Sequence, residues 1–169
     1  MRRNAGLVVA AVVAAAALGG MLVLLTRDRG GSARAGFSLG ATSPAAAPFA
    51  EFREARVAVG KRCLRVLVAS TAAQRVEGLR AVRSLAPYDG MLFVNPSDSR
   101  AAFTMAQTPL PLDIAWYAVE GAPVDRTTMT PCPEGTDARC PVYQSRTRYR
   151  YALETPAGAG GAGALASCA

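Results

Sequence analysis

No histidine occurs among the 169 residues. That absence removes Ser-His and Cys-His nucleophile pairs, an imidazole base titrating near neutral pH, and His-ligated zinc or haem. Lysine is nearly missing as well, since arginine supplies all but one of the 19 basic residues. There is no C-x-x-C pair, so the acidified thiol of a disulfide oxidoreductase is not available. The Asp and Glu residues form no cluster with metal-ligand spacing, and no basic stretch carries the interleaved aromatics of a nucleic-acid platform. Chemistry here must use carboxylates, hydroxyls, arginine or cysteine. Neither a metal, a cofactor nor a nucleic acid is expected as a partner.

Charge is also missing locally. Ala5 to Leu25 holds no charged residue over 21 positions and follows Arg2-Arg3. As a helix it would reach about 31 Å at ~1.5 Å per residue, enough to cross the hydrocarbon of a bilayer. The favoured expectation is an uncleaved anchor (residues 1–25) with its basic end cytoplasmic and the rest of the chain outside. The alternative is a signal cleaved at Ala33-Arg34-Ala35, which would release a secreted protein. No Cys follows closely enough to accept a lipid. Residues 26–50, rich in Gly, Ser, Ala and Pro without apolar periodicity, read as a flexible linker. A single extracytoplasmic domain is then expected over 51–169, long enough to bury one core.

Within that domain the signals are mostly those of strands. Arg62 to Ala69 (R-C-L-R-V-L-V-A) is rich in apolar β-formers, and Thr71 with Gln74 offers a capping box for a short helix over about Ala72 to Arg80. Asp89-Gly90 precedes the buried-strand run Met91 to Val94, which Asn95-Pro96 ends. Further strands are expected over Ala101 to Met105, Leu112 to Val119, Val124 to Met129 and Tyr149 to Glu154, with a hairpin at Glu120-Gly121. The predicted class is α+β, mostly β, with a compact antiparallel, barrel-like sheet and one or two short helices. All four cysteines lie beyond the anchor. An oxidising compartment then favours pairing, and the preferred pairs are Cys132 with Cys140, across a Pro- and Gly-containing loop, and Cys63 with Cys168, tying the chain end to the first long strand.

Arg75-x-x-Gly78-Leu79, Asp89-Gly90-Met91-Leu92-Phe93, Phe103-x-Met105-x-x-Thr108, Pro111-Leu112-Asp113-Ile114 and Tyr151-Ala152-Leu153-Glu154 occur in that order. In residues and spacing these five blocks resemble the small bacterial and archaeal family known as the domain of unknown function numbered one hundred and ninety-two. The resemblance runs from about Arg62 to Gly158. It implies a compact, mostly β domain, often behind a signal or anchor, with no established activity. This chain departs from the family pattern in having Thr104 where an aromatic residue is usual, and in ending through Gly163 to Cys168 rather than in Gly-Asp.

Two positions invite a functional reading. Asp113 is the one charge in an otherwise apolar strand, and such a carboxylate must be paired, hydrogen-bonded or protonated. Arg75 is its expected partner, with Thr108 beside the pair and Phe103 and Met105 as the apolar wall of a cleft. The competing account makes Asp113 a staple for the backbone around Thr108 to Pro111, with Phe103 and Met105 as core. Arg146, Arg148 and Arg150 could form an anion-binding strip or merely a solvated strand face. The favoured function is a membrane-tethered domain that binds a small molecule, peptide or envelope component. The alternatives are a carboxylate-dependent hydrolase or lyase using Asp113, Asp89 or Glu77, and a purely structural envelope domain.

Overall fold

The structure is a computed structural model that describes residues 36–134, 136 and 138–168. The apolar segment Ala5 to Leu25 and the Ala33-Arg34-Ala35 motif lie outside them. Among the described residues no helix is long and apolar enough to cross a membrane.

In chain order the elements are β1 (Ser43–Pro44), β2 (Arg53–Val59), β3 (Arg62–Ala69), α1 (Ala72–Glu77), β4 (Gly90–Ser99), β5 (Phe103–Thr104), β6 (Leu112–Tyr117), β7 (Pro123–Met129), β8 (Val142–Tyr143), β9 (Tyr149–Pro156) and β10 (Leu165–Ser167). The main sheet has the order β1-β2-β3-β4-β9-β6-β7, with β10 pairing β2 on the edge that β1 also uses; β5 and β8 form a separate ribbon. The expected antiparallel barrel is corrected on two counts. First, β3 and β4 run parallel, with Val66 opposite Gly90 and Ala69 opposite Phe93. A parallel pair needs a crossover, and α1 with the loop up to Asp89 supplies it. Second, the sheet does not close. Leu165 N–H donates to the Gly121 carbonyl at the β6–β7 turn (2.8 Å), so the curled ends approach, but no ladder joins them.

Alternation along the strands gives the sheet two buried faces. Leu64, Val66 and Val68 join Val57, Tyr117, Tyr151, Leu153 and Leu165 on one side. Leu67 and Ala69 join Met91, Phe93, Ile114, Trp116 and Ala152 on the other, covered by Leu79, Leu85, Tyr88 and Met105. Burial on both faces explains why β3 reads as a continuous apolar run rather than an alternating one.

Several boundaries differ from expectation: β4 continues through Asn95-Pro96 to Ser99, and β6 stops at Tyr117. Residues 36–50 are not a linker: Phe37 N–H donates to Val119 O (2.8 Å), its ring meets Tyr151 edge-on, β1 pairs β2, and Ala45 and Phe49 are buried. Their apolar residues are too scattered to define a face and anchor one at a time. Helix α1 carries the expected Thr71/Gln74 capping box but stops at Glu77, because Gly78 takes φ +53°. The strand over Ala101 to Met105 shrinks to β5, whose ladder to β8 covers only Phe103 opposite Tyr143 and Thr104 opposite Val142.

Both expected disulfides are present, with Cα–Cα distances of 5.7 Å for Cys63–Cys168 and 6.0 Å for Cys132–Cys140. The first ties the residue after β10 to β3, beside the ladder in which Ser167 faces Val57 of β2. Their sequence separations of 105 and 8 residues set different loop-closure terms. Replacing Cys63 and Cys168 by Ser should cost up to about 5 kcal/mol in urea unfolding, and replacing Cys132 and Cys140 about 2 to 3 kcal/mol. Equal losses would show that chain entropy is not what these bridges restrict.

Candidate functional site

Alternation on β6 separates the residues expected to meet. Leu112, Ile114 and Trp116 face the side covered by α1 and the following loop, whereas Asp113, Ala115 and Tyr117 face the other. Asp113 therefore does not reach Arg75. One carboxylate oxygen accepts the Thr128 hydroxyl (2.7 Å) and the other accepts Gly158 N–H (2.8 Å). It lines a hollow of about 320 Å³ with Tyr117, Arg126, Thr155 and Gly160. Burial pushes the Tyr117 phenol up to about 12. Asp113 is thus a staple, as the competing account held, but for the glycine-rich segment after β9 rather than for Thr108 to Pro111.

Arg75, Phe103 and Thr108 do come together, in a second cleft of about 450 Å³ on the opposite face. Met105 does not line it; this side chain is 1% exposed and belongs to the core beneath. The cleft opens between the C-terminal end of α1, the sheet and the β5 segment. Gly78 makes the close approach: a Cβ at this position would stand 3.5 Å from the Phe93 ring. Phe93 and Phe103 meet edge to face with centroids 5.1 Å apart, and Phe103 stands 6.2 Å from Trp116. Arg75 ties α1 to the sheet by donating through Nη1 to the carbonyls of Ser70 (2.5 Å) and Val94 (3.1 Å).

The decisive residue here is one that strand patterning passed over. Glu154 lies on β9 opposite Met91 of β4 and Ile114 of β6, is 5% exposed, and lines the cleft. Among the described residues its carboxyl has no hydrogen-bond or ion-pair partner. Desolvation pushes it from its ordinary 4.5 to about 8, which favours the protonated form at pH 7. Trp116, its diagonal neighbour across the β6–β9 ladder, has a fully buried indole N–H without a partner among the described residues. The signal that singled out Asp113, a lone carboxylate among apolar strand residues, applies equally to Glu154 at the end of Tyr151-Ala152-Leu153-Glu154. Only burial distinguishes the two.

The remaining candidates are structurally engaged. Arg146 pairs with Asp125 (3.0 Å) and holds that carboxyl below its usual range, Arg150 pairs with Asp98 (2.9 Å), and Arg148 donates to the Asp98 carbonyl. These arginines form no free anion strip. Asp89 accepts Arg65 N–H, and Glu77 is exposed at the rim of the cleft.

Two outcomes follow for the carboxylates. Asp113→Asn should cost about 1 to 2 kcal/mol of stability, since an amide keeps the shape but weakens a charged acceptor. Glu154 acts with the opposite sign. Its folded value lies above its unfolded one, so folding takes up a proton between pH 4.5 and about 8, and stability falls as the pH rises across that window. Glu154→Gln should flatten this slope and be more stable than wild type at pH 9, by on the order of 3 to 5 kcal/mol in denaturant titrations. Parallel pH profiles for the two proteins would refute the buried neutral carboxyl.

Comparison with known proteins places these observations in a family. A crystal structure of a protein of unknown function from Novosphingobium aromaticivorans DSM 12444 shares the fold, with TM-score 0.59 and 23% identity over 71% of this chain and 84% of that one. A second, from Sinorhizobium meliloti 1021 and described as a proposed transcription regulator, matches with TM-score 0.54 and 28% identity, covering 65% of this chain and 88% of that one. No curated protein matches the chain. The model of the family DUF192, described as uncharacterized ACR, matches residues 55–164, which include both Asp113 and every residue named in the cleft. With well over half of its length matched, the chain belongs to the DUF192 family.

Proposed function

We propose that this protein is an exported binding module whose ligand, a small molecule, occupies the cleft above Glu154. The observation that carries this reading is the unpartnered carboxyl at the cleft floor. A buried polar group without a partner costs folding free energy, and it is retained where something outside the chain completes its bonds. The surroundings fit: an aromatic wall, a few convergent polar groups and an open mouth are what small-molecule sites share. Two disulfides suit an oxidising compartment outside the cytoplasm, and the apolar segment Ala5 to Leu25 would tether the domain to the membrane.

A carboxyl poised near neutral pH also suits general acid-base chemistry, as the hydrolase or lyase alternative requires. That reading needs a second group to act with Glu154, and Asp113 is on the other face of the sheet. Binding asks for less and is the better supported.

The full chain should be screened by thermal shift against a library of small metabolites, with Phe103→Ala and Glu154→Gln as cleft variants and Asp113→Asn as the off-site control. A true ligand raises the melting temperature of wild type and of Asp113→Asn by several degrees and of the cleft variants by little. A shift that persists in both cleft variants would move the site elsewhere. Carbonate-washed membranes should retain the chain; a soluble form starting at Gly36 would instead establish cleavage of the N-terminal segment.

A further inference from the structure

Three arginines in this fold make contrasting use of the same chemical edge. Arg65 holds Glu54 through Nε and Nη2 (3.2 and 2.7 Å), and Arg146 holds Asp125 through the same two atoms (3.1 and 3.0 Å). This is the side-on, bidentate grip that matches guanidinium to carboxylate. Arg75, half-buried at the cleft, bonds only through Nη1, and only to carbonyl oxygens. Among the described residues no carboxylate pairs with it: Glu77 is exposed and in no ion pair, Glu154 is in none either, and Asp113 faces away. A partly desolvated cation is held with its anion-gripping edge unused.

Beside Arg75 the cleft offers apolar surface. Phe93 and Phe103 form its wall, and Val76, at 73% exposure one of the two most exposed large hydrophobics among the described residues, stands at its rim. An occupant must therefore present one negative group and an apolar body. The second guanidinium of the cleft, that of Arg80, is engaged, donating to the carbonyls of Val76 and Ala106.

We propose that the cleft selects an apolar monoanion, with a carboxylate-like group bidentate on the Nε–Nη2 edge of Arg75 and an aromatic or aliphatic body against Phe93 and Phe103, extending toward Glu154. The proposal rests on the cleft being a ligand site and names the chemistry of its occupant. It also has a pH signature. The charged and titratable groups that line the cleft with Glu154 are Arg75 and Glu77 of α1, Arg80 of the following loop and, on its own strand, Tyr149, whereas its ladder neighbours Met91 and Ile114 are uncharged. While Glu154 keeps its proton, nothing at the floor opposes an anion. Above about pH 8 its own charge does.

The test compares three ligands with one body and different charge: 4-phenylbutyrate, its amide, and 4-phenylbutylamine. Binding to the disulfide-intact full chain is followed by calorimetry and by the fluorescence of Trp116, the chain's single tryptophan. The acid should bind at least tenfold more tightly than the amide at pH 7, and the amine least. Arg75→Gln should bring the acid-to-amide ratio close to one, while Arg75→Lys, which keeps charge but not the bidentate edge, should retain part of it. The acid should lose about tenfold in affinity between pH 7 and 9 in wild type, and Glu154→Gln should remove that loss. Should Arg75→Gln not fold, the wild-type ratio, its pH dependence and the Lys variant still decide. Equal binding of acid and amide, or preference for the amine, overturns the anion assignment while leaving the cleft as the ligand site. Failure of all three to bind also overturns it, and the metabolite screen then judges the site by itself.

Discussion

Strand β9 lies between β4 and β6 in the middle of the sheet, and both of its faces are covered, so that every residue from Tyr151 to Thr155 is buried. Four of these five positions answer burial in ordinary ways: an aromatic residue, alanine, leucine and a threonine buried above the glycine-rich segment. Glu154 does not. Without a counter-charge burial disfavours the ionised form, and the strand provides none, so the group titrates well above the ordinary carboxylate range and has no partner among the described residues. The cleft is the consequence of placing that residue on the central strand, under a helix that covers the sheet incompletely.

The helix is suited to this incomplete cover. Six-residue α1 has no buried residue; it is held by Gln74 donating to the Glu51 carbonyl (2.7 Å) and by Arg75 donating to Val94, while the next buried side chain is Leu79, beyond Gly78. Polar ties of this kind fix position without filling space. A leucine or phenylalanine on the inner face of α1 would occupy the volume that remains open above Glu154. The capping box at Thr71 and Gln74 does the work that packing does for longer helices, setting where the chain leaves the β3 end.

How far the sequence discloses this fold depends on whether the signal is local. The bounds of β3 and the capping box follow from neighbouring residues and match closely, whereas the Met91 strand runs on past Asn95-Pro96, expected to end it, as far as Ser99. The disulfides follow from loop geometry and the need to pair every thiol. Chain path is different: nothing within Ala72 to Asp89 states that the next strand will lie parallel to β3 rather than antiparallel. The Arg75–Asp113 pair fails for a related reason. The alternation of β6 correctly divides Asp113 from Trp116, but which side α1 will cover is decided by the crossover. Phe37, Leu39 and Phe49 escape notice because isolated apolar residues in a Gly- and Pro-rich stretch carry no periodicity, although each finds a place on the finished sheet.

The two carboxylates of neighbouring strands show what separates scaffold from site. Asp113 and Glu154 are one residue out of register, since Ile114 is the ladder partner of Glu154, and the pleat sends them to opposite faces. Asp113 meets a hydroxyl and a backbone N–H, both supplied by the chain, and fastens a segment whose glycines allow the backbone to lie close: a Cβ at Gly160 would stand 3.0 Å from the Thr155 hydroxyl. Glu154 has Met91 and Ile114 as its ladder neighbours and lines the open cleft. A satisfied carboxylate stabilises the fold and leaves nothing to offer a ligand. The same chemical group, desolvated and without a partner among the described residues, destabilises the fold as the pH rises above 4.5 and is for that reason the group from which a ligand has most to gain.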